Sequence, residues 1–287
     1  MVLYFGDSSF FAFWMFFAIY LMSTIPILAA LEKCNHVLPE ARRASTAQEA
    51  RDMLEASRRY PHLVCQLTPT STTYTIDRVL QRLIGKRFLG ELLSVELQAL
   101  QNRFVDRGGG MHWRHDWELS GYNTLNIGAS YEAMMRWVGR GNRIMAMSKV
   151  HVPYRYNANG SLVSVSIPDH VDILYELANR AQGHMRMSAT PGLSTGNQVW
   201  MYGTKGTIHI DQQRNVFTGR RGDTQLTEVP NPPEEQAAWR VEEEFANAIR
   251  GKEQITMVPF ETGAHYMEWT EAVVRSAHTG QAVYLPL

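Results

Sequence analysis

Cysteine is nearly absent: Cys34 and Cys65 are the only two in 287 residues. A single disulfide is the most they could form, so a disulfide framework is excluded, and nothing resembles a zinc quartet. Reduced thiols in a cytoplasmic compartment are the default expectation. A surplus of either charge is also missing, because 28 Lys and Arg balance 28 Asp and Glu. Binding driven by phosphate neutralisation needs a basic excess, so no nucleic acid is expected as a partner. The pairs Arg42-Arg43 and Arg220-Arg221 read as solvated surface. A third lack bears on chemistry: no GxGxxG turn follows any predicted strand. The nearest string, GRGNRI (139–144), follows a helix, lacks the third glycine and reads as a helix-ending turn. No internal repeat is visible.

What is present is a globular composition, 45% hydrophobic and 20% charged, with length enough for two ordinary domains. The N-terminal stretch FFAFWMFFAIYLM (10–22) stands out, since no charge occurs from Ser8 to Leu31. A helix rising ~1.5 Å per residue could cross a hydrocarbon core of about 30 Å over such a run. It lacks the basic n-region of a signal peptide, and Lys33, Arg42 and Arg43 would favour a cytoplasmic C-terminal side if it spanned. Pro26 breaks or begins a helix inside the run. Periodicity leaves a span and a buried strand plus helix equally open.

Beyond it, helix and strand patterns alternate. Ile27, Leu28 and Leu31 share a helical face, and His36-Val37-Leu38 reads as a short strand. Thr46 and Glu49 have capping-box spacing ahead of an apolar stripe at Ala47, Ala50, Met53 and Leu54. Leu63–Leu67 reads as a strand closed by Pro69. An amphipathic helix through Ile76, Val79, Leu80 and Ile84 follows, with Gly85 as its expected cap. This is the rhythm of a parallel α/β layer. After Gly90, Leu93, Val95, Leu97 and Ala99 alternate with polar residues, marking a strand with one buried face. A loop rich in glycine and aromatics (108–121) leads to a helix ending near Gly139, and period-two segments dominate through Val229. IPDHVDIL (167–174) alone gives no clean alternation. A helix after Pro232-Pro233 carrying Ala238, Val241 and Phe245, a second to Gly280, and a strand at 282–285 close the chain. The fold class expected is α/β: a partial Rossmann-like parallel α/β piece (1–89), then an α+β domain (90–287) with a large open, mainly antiparallel sheet.

Several segments resemble one family, the glucose-fructose oxidoreductase / inositol dehydrogenase / MocA (Gfo/Idh/MocA) oxidoreductases. WMYGTKGTIHI (200–210) is similar to the family's sheet segment, and FANAIRGKE (245–253) and HYMEWTEAVVRSAHTGQAVYLP (265–286) to its closing helices and last strand. PILAALEKCNHVLPEA (26–41) resembles the helix and strand leading to a Glu-Lys-Pro motif. The resemblance implies a Rossmann domain binding NAD or NADP and a sheet domain that holds substrate and forms a homo-oligomer. It implies hydride transfer on a sugar, polyol or related hydroxylated molecule. It also places the apolar stretch where the preceding Rossmann strand would stand, with the upstream strand, glycine-rich turn and two further units lacking. Membrane anchoring through residues 10–31 stays the lesser alternative to a cytoplasmic protein.

The resemblance also assigns site positions. Glu40 matches the motif's glutamate, while Ala41 and Arg42 stand at its lysine and proline; a guanidinium cannot exchange a proton as that lysine does. Glu40 and Arg42 are the cofactor-side candidates. The family's Asp-x-Gly-x-His pattern, whose histidine trades a proton with the substrate hydroxyl, reads here NIGAS, with Asn126 for the aspartate and Ser130 for the histidine. An amide does not titrate and a lone serine is not activated, so neither is a useful general base near neutral pH. In HWRHD, Trp113, Arg114 and His115 are substrate-side candidates, arginine because it pairs with carboxylates or sugar hydroxyls. His112 and His115 have spacing for a metal, but no third or fourth ligand is evident, and none is expected. Asp169 and His170, with Asp172, form a second polar cluster. His184 and His209 read as ordinary sheet residues, RGD (221–223) as a turn, and Asn159-Gly160-Ser161 as a sequon that matters only on a secreted chain. A non-catalytic relative, kept as a binding or dimerisation module, is the alternative function.

Overall fold

The computed structural model describes residues 24–39, 44–70 and 73–287. The apolar stretch at 10–22, Glu40 and Arg42 lie outside them. Three helices come first: α1 (Ile25–Glu32), α2 (Ala47–Arg59) and α3 (Tyr74–Gly85). Thr46 caps α2 as its spacing predicts, accepting from the Glu49 amide at 3.2 Å, but the Glu49 carboxylate takes the Ser45 amide (2.8 Å) and not the reciprocal bond. Gly85 is the last residue of α3, and the turn beyond it is made by Lys86 and by Arg87 at φ 52°. The two expected strands of this piece do pair in parallel, yet only as a bridge between Val37 and Cys65. Val37 donates to Val64 O (2.9 Å) and Gln66 to Val37 O (3.1 Å). Pro39 and Pro69 lack the N–H that would carry the ladder further. No described helix is long and apolar enough to cross a membrane.

The second part is built on a nine-stranded sheet in the order β10-β9-β8-β7-β1-β6-β5-β2-β11. The strands are β1 (Leu92–Leu100), β2 (Gly141–Lys149), β5 (His170–Leu177), β6 (Gln182–Ser188), β7 (Gln198–Gly203), β8 (Gly206–Ile210), β9 (Val216–Arg220), β10 (Thr227–Val229) and β11 (Val283–Tyr284). β1 and β6 run parallel; every other neighbouring pair is antiparallel. A separate hairpin, β3 (Tyr154–Tyr156) with β4 (Leu162–Ser164), stands beside it. Contrary to the sequence pattern, β5 alternates cleanly: Val171, Ile173, Tyr175 and Leu177 are buried while His170, Asp172, Leu174 and Glu176 face the other way. The glycine-rich loop contains a short helix, α4 (Trp117–Ser120).

Helices α5 (Ile127–Val138) and α7 (Phe260–Thr279) cover the buried face. Tyr131 of α5 lies flat on Trp269 of α7, rings 4.0 Å apart, and Tyr175 of β5 meets the Trp269 ring edge-on at 5.9 Å. Tyr175 pairs across the ladder with Gly183, where any Cβ would land inside the phenol ring. The other sheet face is open, with Met145, Met147 and Leu174 exposed and Trp200 stacked on His209 at 3.8 Å. One contiguous apolar core joins residues from Ile27 to Val273, running across the turn at Gly90.

Helix α6 (Val241–Ile249) begins later than its apolar stripe suggests, and Ala238 lies outside it. Its anchor is Glu244, a buried carboxylate. It accepts from Gln66 Nε2 (2.5 Å), the Thr256 amide (3.0 Å) and hydroxyl (2.5 Å), and the Met257 amide (3.3 Å). These bonds tie α6 to the segment that also pairs with residue 67 through Leu67 N to Val258 O at 2.9 Å. Glu244→Ala should therefore cost about 3 kcal/mol in urea unfolding, since several buried donors lose their acceptor at once. Glu244→Gln should cost less, and a loss under about 1 kcal/mol for the alanine variant would overturn the role given to this carboxylate.

Candidate active site

The site is built around the start of α5. Leu125 and Asn126 both take left-handed backbone conformations, φ 49° and 63°. Asparagine tolerates this region; for leucine it costs roughly 1–2 kcal/mol. Three bonds hold the turn: Gly128 N to Asn123 Oδ1 (3.0 Å), Thr124 Oγ1 to Pro168 O (2.8 Å), and Arg114 Nε to Asn126 Oδ1 (3.3 Å). Space is tight at Gly128, where a Cβ would meet Asn123 Oδ1 at 3.1 Å and Thr270 Oγ1 at 3.2 Å and push either by a few tenths of an ångström. Strain of this kind concentrates where a fold must aim particular groups.

The turn aims Asn126, and the first turns of α5 aim Ser130, into a cleft of about 980 Å³. Trp137 and Ile76 wall it from the helices, the ends of β1, β6 and β7 from the sheet, and Trp239 and Glu242 from the start of α6. Asn126 and Ser130 thus line the same cleft. Arg114 reaches the cleft wall through its bond to Asn126, and its guanidinium lies 4.1 Å over the Trp113 ring. Trp113, His115, Asp169 and His170 are not part of the lining. Asp169 instead ties a loop, accepting from the His151 amide (2.9 Å) and the Val152 amide (3.0 Å). His170 connects Ser188, which does line the cleft, to Asp172: its Nδ1 is 2.9 Å from Ser188 Oγ and its Nε2 2.8 Å from Asp172 Oδ2.

The rings of His112 and His115 are tied to the loop backbone. Their Nδ1 atoms accept the amides of Arg114 (3.3 Å) and His112 (3.0 Å), so each neutral ring carries its proton on Nε2. Among the described residues no group of three metal-ligating side chains occurs. Burial first, and then Arg155 and His112, push the His115 pKa down to about 4, against a weaker pull from Asp169. His115 is a neutral ring at physiological pH.

Beneath the cleft wall an ion cluster joins α3 to α5. Arg136 donates to Asp77 Oδ2 and to Thr73 Oγ1 (2.6 Å), and Trp137 Nε1 donates to Asp77 Oδ1 at 2.7 Å. Glu132 sits 2.8 Å from Arg136 Nε, off the line of the N–H, so this pair is an ionic contact without a well-aligned hydrogen bond. Two buried carboxyls share one guanidinium, and burial raises the pKa of both Asp77 and Glu132 against the pull of Arg136.

Residues 78–209 match the GFO/IDH/MocA C-terminal domain. The protein carries a Gfo/Idh/MocA C-terminal domain. Solved structures of similar fold include an NAD binding oxidoreductase from Klebsiella pneumoniae, with a TM-score of 0.79, 17% identity, and 93% of this chain and 78% of that chain covered. Levoglucosan dehydrogenase in complex with NADH gives 0.80 and 20%, covering 93% and 77%. The WlbA dehydrogenase from Bordetella pertussis, in complex with NADH and UDP-GlcNAcA, gives 0.70 and 14%, covering 93% and 76%. A search of curated proteins gives no match. At such identities the likeness establishes the fold alone. The Gfo/Idh/MocA fold implies a nicotinamide dinucleotide, whose pyrophosphate needs glycines that let backbone approach it at a helix N-terminus. From Asp7 to Ile84 the chain has no glycine. The first described helix after the apolar stretch starts at Ile25, with Pro26 in its first turn and no side-chain cap bond. The described residues do not fit a pyrophosphate.

Sequence reasoning missed Trp137, Ser188, Trp239 and Glu242 as cleft residues. Trp137 sits in an apolar helical stripe that any core helix would show. Trp239 stood in an expected helix that in fact starts two residues later, and that delay is what leaves its ring free to face the cleft.

Two measurements test the electrostatics. Asp77 and Glu132 bind a proton more tightly folded than unfolded, so the stability they confer is full below the ordinary carboxylate range and is lost as pH rises through their folded values. Glu132→Gln should therefore gain on the wild type in urea unfolding as pH is raised from about 4 to 7; a difference that stays flat with pH would refute the assignment. The His115 ring should titrate by NMR with a midpoint near 4, and a midpoint above 6 would show that its surroundings are wetter than described.

Proposed function

We propose that the protein is an oxidoreductase of the NAD(P)-dependent Gfo/Idh/MocA type, acting on a sugar, polyol or related hydroxylated small molecule. The observation that carries this reading is the cleft at the start of α5, where a strained turn presents Asn126 and Ser130 at the positions matching the family's acid/base pattern. The lining suits a polyhydroxylated ligand: Asn126, Ser130, Ser188, Gln98 and Gln198 offer neutral donors and acceptors beside the apolar faces of Trp137 and Leu97. Levoglucosan dehydrogenase and WlbA, which share the fold, have structures with NADH. The exposed Met145, Met147 and Leu174 on the open sheet face support assembly as a homo-oligomer through that face.

A second reading is favoured by one specific observation. Among the described residues, the cleft lining contains no histidine, lysine, cysteine or tyrosine, and its only ionisable side chains are Asp211, Arg214 and Glu242, none of them at the family's acid/base positions. On that reading the domain binds a hydroxylated ligand, or a second copy of itself, without turning anything over.

Titration of the purified chain with NADH and NADPH, followed by energy transfer from its seven tryptophans, separates the two. Saturable transfer below millimolar cofactor is expected for the oxidoreductase. No transfer at millimolar cofactor, from a folded chain, would leave the binding module.

A further inference from the structure

We propose that the mouth of the cleft, where Trp239 meets Glu242, is an outer saccharide subsite that takes a second sugar ring of a substrate whose first ring lies against Asn126 and Ser130. This rests on the sugar reading above and extends it to substrates of more than one ring. Trp239 lines the cleft with 42% of its surface exposed. It is nevertheless held in orientation. Its Nε1 donates to Glu242 Oε2 at 2.6 Å, and its ring meets the edge of Tyr74 at 5.6 Å and 62°. Tyr74 is itself buried, with its hydroxyl 3.0 Å from Met257 Sδ and the Arg136 guanidinium 5.3 Å over its face. A fixed indole loses little rotamer freedom when a ligand covers it.

The chemistry around the ring selects the ligand. An indole face attracts the C–H face of a pyranose, and the second oxygen of the Glu242 carboxylate is an acceptor for its hydroxyl hydrogens, a charge-assisted bond stronger than a neutral one. Asn197 and Gln212 add amide groups to the same lining. An aromatic ring could equally take a nucleobase, but the lining here sets two carboxylates, Glu242 and Asp211, against the single guanidinium of Arg214. A diphosphate would meet like charge beside Trp239, whereas an uncharged saccharide would not. The cleft of about 980 Å³ also stands at the upper end of the roughly 300–1,000 Å³ usual for small-molecule sites.

The test is calorimetric titration of the full chain with methyl glucosides of both anomers, with maltose and cellobiose, and with UDP, on wild type, Trp239→Ala, Trp239→Phe and Glu242→Gln. The expected result is that a disaccharide binds at least about tenfold tighter than its methyl glycoside, consistent with stacking worth about 1.4 kcal/mol. Trp239→Ala should bring the disaccharide down to the glycoside's affinity without changing the glycoside's own, and Trp239→Phe should keep most of the gain. Glu242→Gln should weaken the disaccharide alone. Equal affinity of both sugars for wild type, equal weakening of both by Trp239→Ala, or tighter binding of UDP than of the disaccharides would overturn the subsite while leaving the inner sugar site standing. Failure of every sugar to bind the folded wild type would overturn the sugar reading itself, and the subsite with it.

Discussion

The flat stack of Tyr131 on Trp269, closed at its edge by Tyr175, is the contact on which the site depends. It joins α5, α7 and β5 at one point, and the Tyr131 hydroxyl accepts the Gly141 amide at 2.8 Å, tying the start of β2 to the same cluster. Ring pairs of this kind add about 0.5–1.5 kcal/mol beyond the area they bury. More important is that they fix distance and angle together. Tyr131 is the residue after Ser130, so the stack that buries one side chain sets where its neighbour points.

The second constraint is electrostatic and acts from the opposite side. Asp77, Arg136 and Glu132 hold α3 to α5, with Asp77 also fixing the Trp137 indole at the cleft wall. Two carboxyls on one guanidinium is a costly way to join helices, because burial works against each charge and one arginine cannot fully compensate both. An apolar contact would be cheaper. What the ionic arrangement adds is direction: it fixes the rotation of α5 about its axis through bonds that tolerate little displacement. The core stack and the ion cluster together leave the helix one orientation, in which Asn126, Ser130 and Trp137 share a face toward the cleft.

Much of this fold was legible in the sequence where the signal was periodic. The alternation around Val95 and the stripes of α2 and α3 gave elements that the structure shows, because a buried face forces its own period on the residues that make it. IPDHVDIL misled for a specific reason. Pro168 and Asp169 belong to the loop before the strand, and including them in the count hides the alternation from Val171 to Leu177. The segments at 36–38 and 63–67 read as a short strand and a compact one, and prolines at 39 and 69 reduce their pairing to a few hydrogen bonds. Trp239 and Glu242 could not be found by pattern, since their place follows from where α6 begins.

Position 126 shows how backbone and chemistry divide a residue between them. The turn before α5 requires a left-handed residue there, and asparagine and aspartate are the non-glycine side chains that enter that region most readily. The family pattern that NIGAS resembles has aspartate at this place, so exchange to asparagine keeps the conformation while removing the charge. The amide still accepts from Arg114, as a carboxylate would, so the local geometry survives as well. Ser130 makes the parallel change one turn on, exchanging a titratable ring for a hydroxyl that still lines the cleft. Both replacements discard proton exchange, and at 126 the hydrogen bond to Arg114 is kept. The physical requirement on these two positions is thus the cleft itself. Any proton transfer in the cleft has to come from groups other than these two.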